Sequence, residues 1–425
     1  MQGSLPTPWN VYNLVHSPYF QQPLESGEQT PRPLSLFVGR ARELKQLQAT
    51  IQGAGQNASV QAIAGAPGVG KTTLVKELKA LALASGYFAT DSYVAILPGD
   101  TAEGLFGRVL GVLYDTILAN RPATASHPAM ADARVLVRAT RLTSGGVSVT
   151  LPGLGGIGGS RSTSVIIPKD MMIDGPRVMR DLARMVQGSD ARGVLLHLNN
   201  LENLSESDAT QAAETLRALR DVMLQHNGLH YVIVGTTDSV NLAVNTHAQV
   251  RSIVSTLLLA PLAADEVMQL LQARYDHLRV NQKAAAIAPV ETTAVTTLYD
   301  FFRGDLRGLL KALDDGVGLL IGLEETPARP LTLDALLPVL QHRYHAELNA
   351  LSEPARIEQL TKWGTSALGV AQTQAALGRL WKLSQGRVST ALGYLIRHGY
   401  VIALSRKGAD PIQYVFSGAS RLIFG

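Results

Sequence analysis

One eight-residue string constrains this chain more than any other. Gly65-Ala66-Pro67-Gly68-Val69-Gly70-Lys71-Thr72 follows the apolar run Val60–Ala64 and precedes a helical pattern over Thr73–Ala84. Three glycines and a proline in the six positions 65–70 forbid a continuous helix or strand through the segment, so strand must pass to helix by a tight turn. Glycine backbones can turn successive N–H groups toward one point, where they cradle phosphate oxygens. The following helix offers its positive N-terminal end to the same anion. In this spacing Lys71 reaches the β/γ-phosphates, the Thr72 hydroxyl ligates Mg²⁺, and Thr73 opens the helix. Gly65, Ala66, Pro67, Gly68, Val69, Gly70, Lys71, Thr72 and Thr73 are therefore the expected contacts for ATP or ADP.

A strand–loop–helix of this kind belongs to a parallel α/β sheet. Four further apolar runs supply the other strands: Tyr93–Leu97, Val194–Leu198, Tyr231–Gly235 and Thr256–Leu259. A phosphate loop needs a second strand whose tip holds Mg²⁺ and polarises the attacking water. Val194–Leu198 has the right character, but it ends in Asn199-Asn200 where carboxylates are expected. An asparagine carbonyl can join a metal shell, so Asn199 is an expected metal contact, yet it cannot act as a base. Glu202 lies just beyond; it either takes over one role or caps the next turn. The sequence thus predicts secure nucleotide binding and slow hydrolysis.

The 425 residues suffice for two or three domains. Hydrophobic residues are 46%, charged residues 17%, and mean hydropathy is +0.10, which excludes a largely disordered chain. No apolar run approaches the length of a membrane span, and the start lacks the pattern of a secretory signal. With no cysteine there are no disulfides and no thiolate chemistry. These features point to a soluble, cytoplasmic protein. The reading along the chain is an N-terminal arm over 1–35, docked through Trp9, Tyr12, Tyr19 and Phe20, and a nucleotide-binding core over 36–261. A helical lid over 262–323, including an amphipathic helix over Ala264–Leu278, and a C-terminal module over 324–425 complete it. Glu324–Pro327 reads as a linker. Within the core, residues 144–160 hold seven glycines between alternating apolar positions. That insertion, near 142–168, reads as a β-hairpin, either reaching for a partner or forming a surface flap.

Charge is uneven. The net charge is +4, but residues 355–425 carry nine basic and two acidic side chains, which is +7, leaving −3 for the rest. A basic end of this kind either meets a polyanion or forms a solvated face. Its pattern is three helices and a two-stranded wing, with the strands at Tyr400–Ser405 and Ile412–Phe416. A helix capped by Ser384 runs to His398, burying Val388, Leu392, Leu395 and Ile396. Gln385, Arg387, Ser389, Thr390 and Arg397 lie on its other face, where short polar and basic groups suit a DNA major groove. Arg406 and Lys407 at the wing tip suit phosphates. Tyr394 and Tyr400 are read equally well as packing residues.

Together these residues resemble the AAA+ family, in its branch of initiator-like and signal-transduction ATPases, with a C-terminal winged helix-turn-helix. Phe37-Val38-Gly39-Arg40-Ala41-Arg42-Glu43-Leu44 resembles the short motif that covers adenine in archaeal replication initiators, which implicates Val38 and Arg40. Tyr231–Thr237 looks like the strand whose terminal polar residue, here Thr236, watches the γ-phosphate. Arg251 sits where such proteins place an arginine finger, and would otherwise be an ordinary surface arginine. Gly304-Asp305-Leu306-Arg307 resembles the sensor motif of the lid, with Arg307 on phosphate; its competitor is an ion pair with Asp305 or Asp314. The resemblance spans roughly 36–320. It implies an α/β parallel-sheet P-loop core with a helical lid and a winged-helix domain, ATP or ADP with Mg²⁺ as cofactors, homo-oligomers, and duplex DNA as partner. The alternative it leaves open is a signalling or defence ATPase whose winged domain contacts protein.

Overall fold

A computed structural model describes residues 7–25, 27, 30–144, 171–323, 329–367, 370–404 and 410–425. The chain divides into two compact units: Arg40–Gly65 with Lys71–Leu259, and the stretch up to Gly39 with Ala66–Gly70 and Ala260–Gly425. The glycine-rich segment, the linker and the Arg406-Lys407 tip lie outside the described residues.

The first unit is α/β. Its elements run α1 (Ala41–Ala54), β1 (Ser59–Gly65), α2 (Lys71–Ala84), β2 (Val94–Ala95), α3 (Ala102–Asn120), α4 (Pro128–Ser144) and α5 (Met171–Gln187). Then follow β3 (Val194–Asn199), α6 (Glu206–Leu219), β4 (Leu229–Gly235), α7 (Thr237–Asn245), α8 (Ala248–Arg251) and β5 (Val254–Leu259). The strands form one parallel sheet in the order β2-β3-β4-β1-β5. Every residue of β1 and β4 is buried, because strands covered on both faces leave no polar side. Edge strand β5 instead exposes Ser255, Thr256 and Leu258. Register places Ala64 beside Gly235 and Leu198 beside Ile233. Gly65, Asn199 and Thr236 consequently leave the sheet at one carboxyl edge, where open α/β sheets bind ligands. Leu105, Phe106 and Leu110 of α3 join Met130, Val178, Met179 and Leu182 in the core beside the sheet.

The second unit is mainly helical. It holds α9 (Ala264–His277), α10 (Thr292–Phe301), α11 (Leu306–Leu323), α12 (Leu333–Asn349) and α13 (Pro354–Ala367). Then come β6 (Gln372–Thr373), α14 (Gln374–Trp381), α15 (Gln385–Arg397), β7 (Val401–Ala403), β8 (Gln413–Phe416) and α16 (Gly418–Phe424). One continuous core runs from Leu309 and Leu313 through Leu336, Leu340, Trp363, Val388 and Leu395 to Phe416 and Leu422. The short antiparallel sheet has three strands, β6-β8-β7, where the sequence pattern suggests two. Helix α16 is likewise additional: Arg421 Nη1 donates to Asp300 O at 2.7 Å, tying the chain end to α10.

The N-terminal arm packs into this same unit. Tyr12, Leu14 and Tyr19 are buried in its core. The Asn13 amide donates to Asn281 O and Ala284 O, both at 3.1 Å, and Tyr19 and Tyr275 share a hydroxyl contact of 3.2 Å. Arg274, only 6% exposed, donates through Nη1 to Pro18 O at 3.0 Å and Phe20 O at 2.9 Å. Its guanidinium lies 3.9 Å from the centre of the Phe20 ring. Burial lowers its pKa to about 9, so it stays charged at neutral pH.

Candidate nucleotide site

The loop after β1 is short. β1 ends at Gly65 and α2 already begins at Lys71, two residues earlier than periodicity suggests. Gly68 has φ +82°, and a Cβ there would overlap the Asp305 carboxylate, so only glycine fits. Lys71 does not extend into solvent. Its side chain is 6% exposed, and Nζ donates to Gly65 O at 3.0 Å and pairs with Glu202 Oε2 at 3.3 Å. A cation is thus held at the mouth of the glycine loop. Thr72 is exposed, and its hydroxyl has no hydrogen-bond partner among the described residues.

The tip of β3 explains how Glu202 arrives there. Asn200 takes a left-handed conformation, φ +82°, and donates from Nδ2 to Ile96 O at 3.1 Å while its Oδ1 accepts from Asn203. A carboxylate could not make that donation. Asn200 is therefore a brace between the ends of β2 and β3. The turn Leu201–Asn203 that follows is wedged against β4, because a Cβ on Gly235 would come 2.7 Å from Leu201 Cβ. Glu202 projects from this turn toward Lys71; the ion pair replaces the simple capping role. Asn199 differs from its neighbour: its Oδ1 is buried and has no hydrogen-bond partner among the described residues.

The remaining sequence-derived positions are placed as follows. Thr236 is the N-cap of α7: its Oγ1 accepts from Ser239 N at 3.2 Å and lies 2.8 Å from Ser239 Oγ. Arg251 is the exposed last residue of α8 and makes no ion pair among the described residues. α8 is anchored at its start, where His247 Nε2 stands 3.1 Å from Glu214 Oε1. Arg40 is buried with φ +64°, a left-handed conformation that costs a non-glycine residue energy, and pairs with Glu43 at 3.1 Å. Val38, in the second unit, is half-buried against the helical core.

Gly68, Asp305 and Arg307 all belong to that second unit. Asp305 accepts from Arg307 N at 3.0 Å and so caps α11; burial raises its pKa, while the backbone N–H groups of Gly308 and Arg307 oppose the rise. Arg307 is exposed and pairs with neither Asp305 nor Asp314; its Cβ would lie 3.5 Å from a Cβ on Gly68. The Lys71–Glu202 pair and the approach of Asp305 to the loop were not anticipated from the sequence.

A divalent cation fits this donor set in a limited way. The free Thr72 hydroxyl and the unpartnered Asn199 Oδ1 are neutral oxygens able to serve Mg²⁺ or its waters. No group of three or more His, Asp or Glu able to hold a metal occurs among the described residues.

On the C-terminal module, α15 exposes Gln385, Arg387, Ser389, Thr390 and Arg397 and buries Val388, Ala391, Leu392 and Leu395. Ile396, expected inside, is 38% exposed, and Ser384 occupies the N-cap position without a side-chain hydrogen bond. Tyr394 stacks on His398 with centroids 4.0 Å apart.

Residues 36–224 match the family model of the AAA ATPase domain. Among solved structures, the chain is similar to the Aeropyrum pernix ORC1 protein in complex with DNA (16% identity, 91% of each chain, TM-score 0.43). It is also similar to the Aeropyrum pernix ORC2 protein in its ADPNP-ADP complexes (14%, 96% of this chain and 95% of that one, TM-score 0.48) and to Cdc6p from Pyrobaculum aerophilum (14%, 94% and 96%, TM-score 0.39). Comparison with curated proteins finds no match. The parallel five-stranded sheet and the glycine loop between β1 and α2 define an α/β fold of the P-loop type. No described helix is long and apolar enough to cross a membrane.

Proposed function

We propose that this chain is a nucleotide-operated AAA+ switch that binds ATP and ADP with Mg²⁺, hydrolyses ATP slowly, and carries its signal to duplex DNA through a winged helix-turn-helix. The observation that carries the reading is Lys71, buried at the mouth of a glycine loop directly after β1 and folded back onto Gly65 O. Backbone N–H groups of Ala66–Gly70 and the start of α2 would hold the phosphates, with Lys71 neutralising them. Thr72 and Asn199 would hold Mg²⁺, which supplies charge neutralisation when bound. Thr236 and Arg307 would report the γ-phosphate, Val38 and Arg40 would line the adenine, and Arg251 would serve a neighbouring copy. In this reading residues 36–261 are the nucleotide-binding core, 262–323 the lid, and 324–425 the linker helix and winged module.

Slow turnover follows from the β3 tip. Asn200 is committed to Ile96 O and Asn199 is neutral, so the two positions at the end of β3 offer no carboxylate to polarise water. DNA contact is supported by the exposed Gln385, Arg387, Ser389, Thr390 and Arg397 and by the +7 charge of the last 71 residues. The exposed Ile396 on the same helix favours the second reading, a protein partner for the module.

The test is nucleotide binding and turnover by the purified chain, with and without duplex DNA, beside Lys71→Ala. We expect Lys71→Ala to lose ATP binding while keeping the DNA affinity of the nucleotide-free parent, and that affinity to fall steeply with salt. Unchanged ATP affinity in the variant overturns the site; absence of DNA binding at low salt transfers the module to protein recognition.

A further inference from the structure

The identity of the carboxylate that serves the metal is open, because the two positions at the end of β3 are amides. Asn200 is excluded by its own geometry: its Nδ2 is spent on Ile96 O and its Oδ1 on Asn203. Asn199 offers an unpartnered Oδ1 but no charge. Glu202 stands on a short turn just beyond, 35% exposed at the side chain, with Oε2 3.3 Å from Lys71 Nζ.

A nearly buried lysine needs a counter-charge. Phosphates entering the loop compete for the same ammonium, and like-charge repulsion sets them against the Glu202 carboxylate. Once the phosphates take Lys71, Glu202 is left facing a site where a divalent cation would restore attraction. The wedge of Leu201 against Gly235 keeps the turn in place, so this exchange asks only for a side-chain movement.

We propose that Glu202 serves two partners in succession: it neutralises Lys71 while the loop is free of nucleotide, and it becomes the carboxylate for Mg²⁺ when phosphates claim the lysine. This rests on the nucleotide-binding reading above and adds a metal-directed residue to it. The signature is in binding rather than turnover. In the parent, Mg²⁺ strengthens ATP binding, because chelation leaves Glu202 and the phosphates contending for one lysine.

The experiment measures ATP affinity by calorimetry in Mg²⁺ and in EDTA for the full-length parent, Glu202→Gln and Glu202→Ala. Both variants should bind ATP in EDTA about two- to fivefold more tightly than the parent, the scale of one partly exposed ion pair. Their gain from Mg²⁺ should shrink to about twofold or less. Variants that keep the parent's full Mg²⁺ gain, or that bind in EDTA as weakly as the parent, overturn the proposal. A parent that binds ATP in neither buffer overturns instead the nucleotide-binding reading.

Discussion

His197 lies on β3, 4% exposed, between the Tyr93 ring at 5.8 Å and the buried Lys79. Its Nε2 has no hydrogen-bond partner among the described residues. Burial, helped by the positive Lys79, lowers its pKa from 6.5 to about 3. His230, on β4, is lowered to about 4 by burial. Each group is therefore neutral in the folded state and protonates first in the unfolded chain, so folding stability falls as pH drops from 6.5 toward these values. One pKa unit corresponds to about 1.4 kcal/mol, so acidification from pH 6.5 to 5 costs about 2 kcal/mol per buried histidine. Lys79, with a pKa of about 8, stays protonated across this window and adds nothing to the slope. His197→Leu removes one of the two groups along with an unsatisfied nitrogen. At pH 7 the substitution should change stability by less than about 1 kcal/mol. Between pH 7 and 5 the variant should lose about 2 kcal/mol less than the parent. Urea unfolding followed by far-UV circular dichroism measures both. All three tryptophans, Trp9, Trp363 and Trp381, belong to the second unit, so their fluorescence separates its unfolding from that of the α/β unit. Identical acid slopes in parent and variant would refute the argument from burial.

Two further substitutions test how the site and the arm are held. Asn200→Asp keeps shape but sets a carboxylate against Ile96 O in place of the donor, and should cost about 1–3 kcal/mol in urea unfolding of the α/β unit; an unchanged midpoint shows that the brace carries no weight. Arg274→Met leaves the carbonyls of Pro18 and Phe20 without their donor, so the arm should loosen at a cost of about 1–3 kcal/mol, with Trp9 emission moving to the red.

The central sheet was legible because β1, β3 and β4 are covered on both faces, which forces mostly apolar runs broken only by single buried polar residues such as Gln61, His197 and His230. The outer strand at Tyr93–Leu97 read as five residues but forms only Val94–Ala95; Tyr93 and Leu97 are apolar yet half-exposed at its ends. β6, the pair Gln372–Thr373, carries no apolar signal and exists only through its pairing with β8. α16 was missed because it is seven residues long and held by contacts to α10 distant in sequence. The glycine loop between β1 and α2 was legible because the turn it makes is dictated locally by Gly65, Pro67, Gly68 and Gly70. The Lys71–Glu202 pair was not, since residues 131 positions apart meet only through the left-handed turn at Asn200 and the bare Cα of Gly235. Asn200 itself read as a lost acid, whereas its side-chain donor is what the turn requires.

The arm's partners have a consequence for how the chain is made. Thr7–Glu25 leaves the ribosome before the α/β unit, yet its hydrogen bonds and packing are with α9, α11 and the segment after α9. About 240 residues separate Phe20 from α9, so at about 5–20 residues per second the arm waits roughly 10–50 s for its partners to emerge. In that interval the whole α/β unit is synthesised and can close, since its sheet and helices need nothing from either terminus to complete their core. The nascent chain thus carries a finished sheet after an undocked arm bearing Trp9, Tyr12, Tyr19 and Phe20. A chaperone that grips exposed aromatics would find its hold there, and release would coincide with synthesis of Arg274.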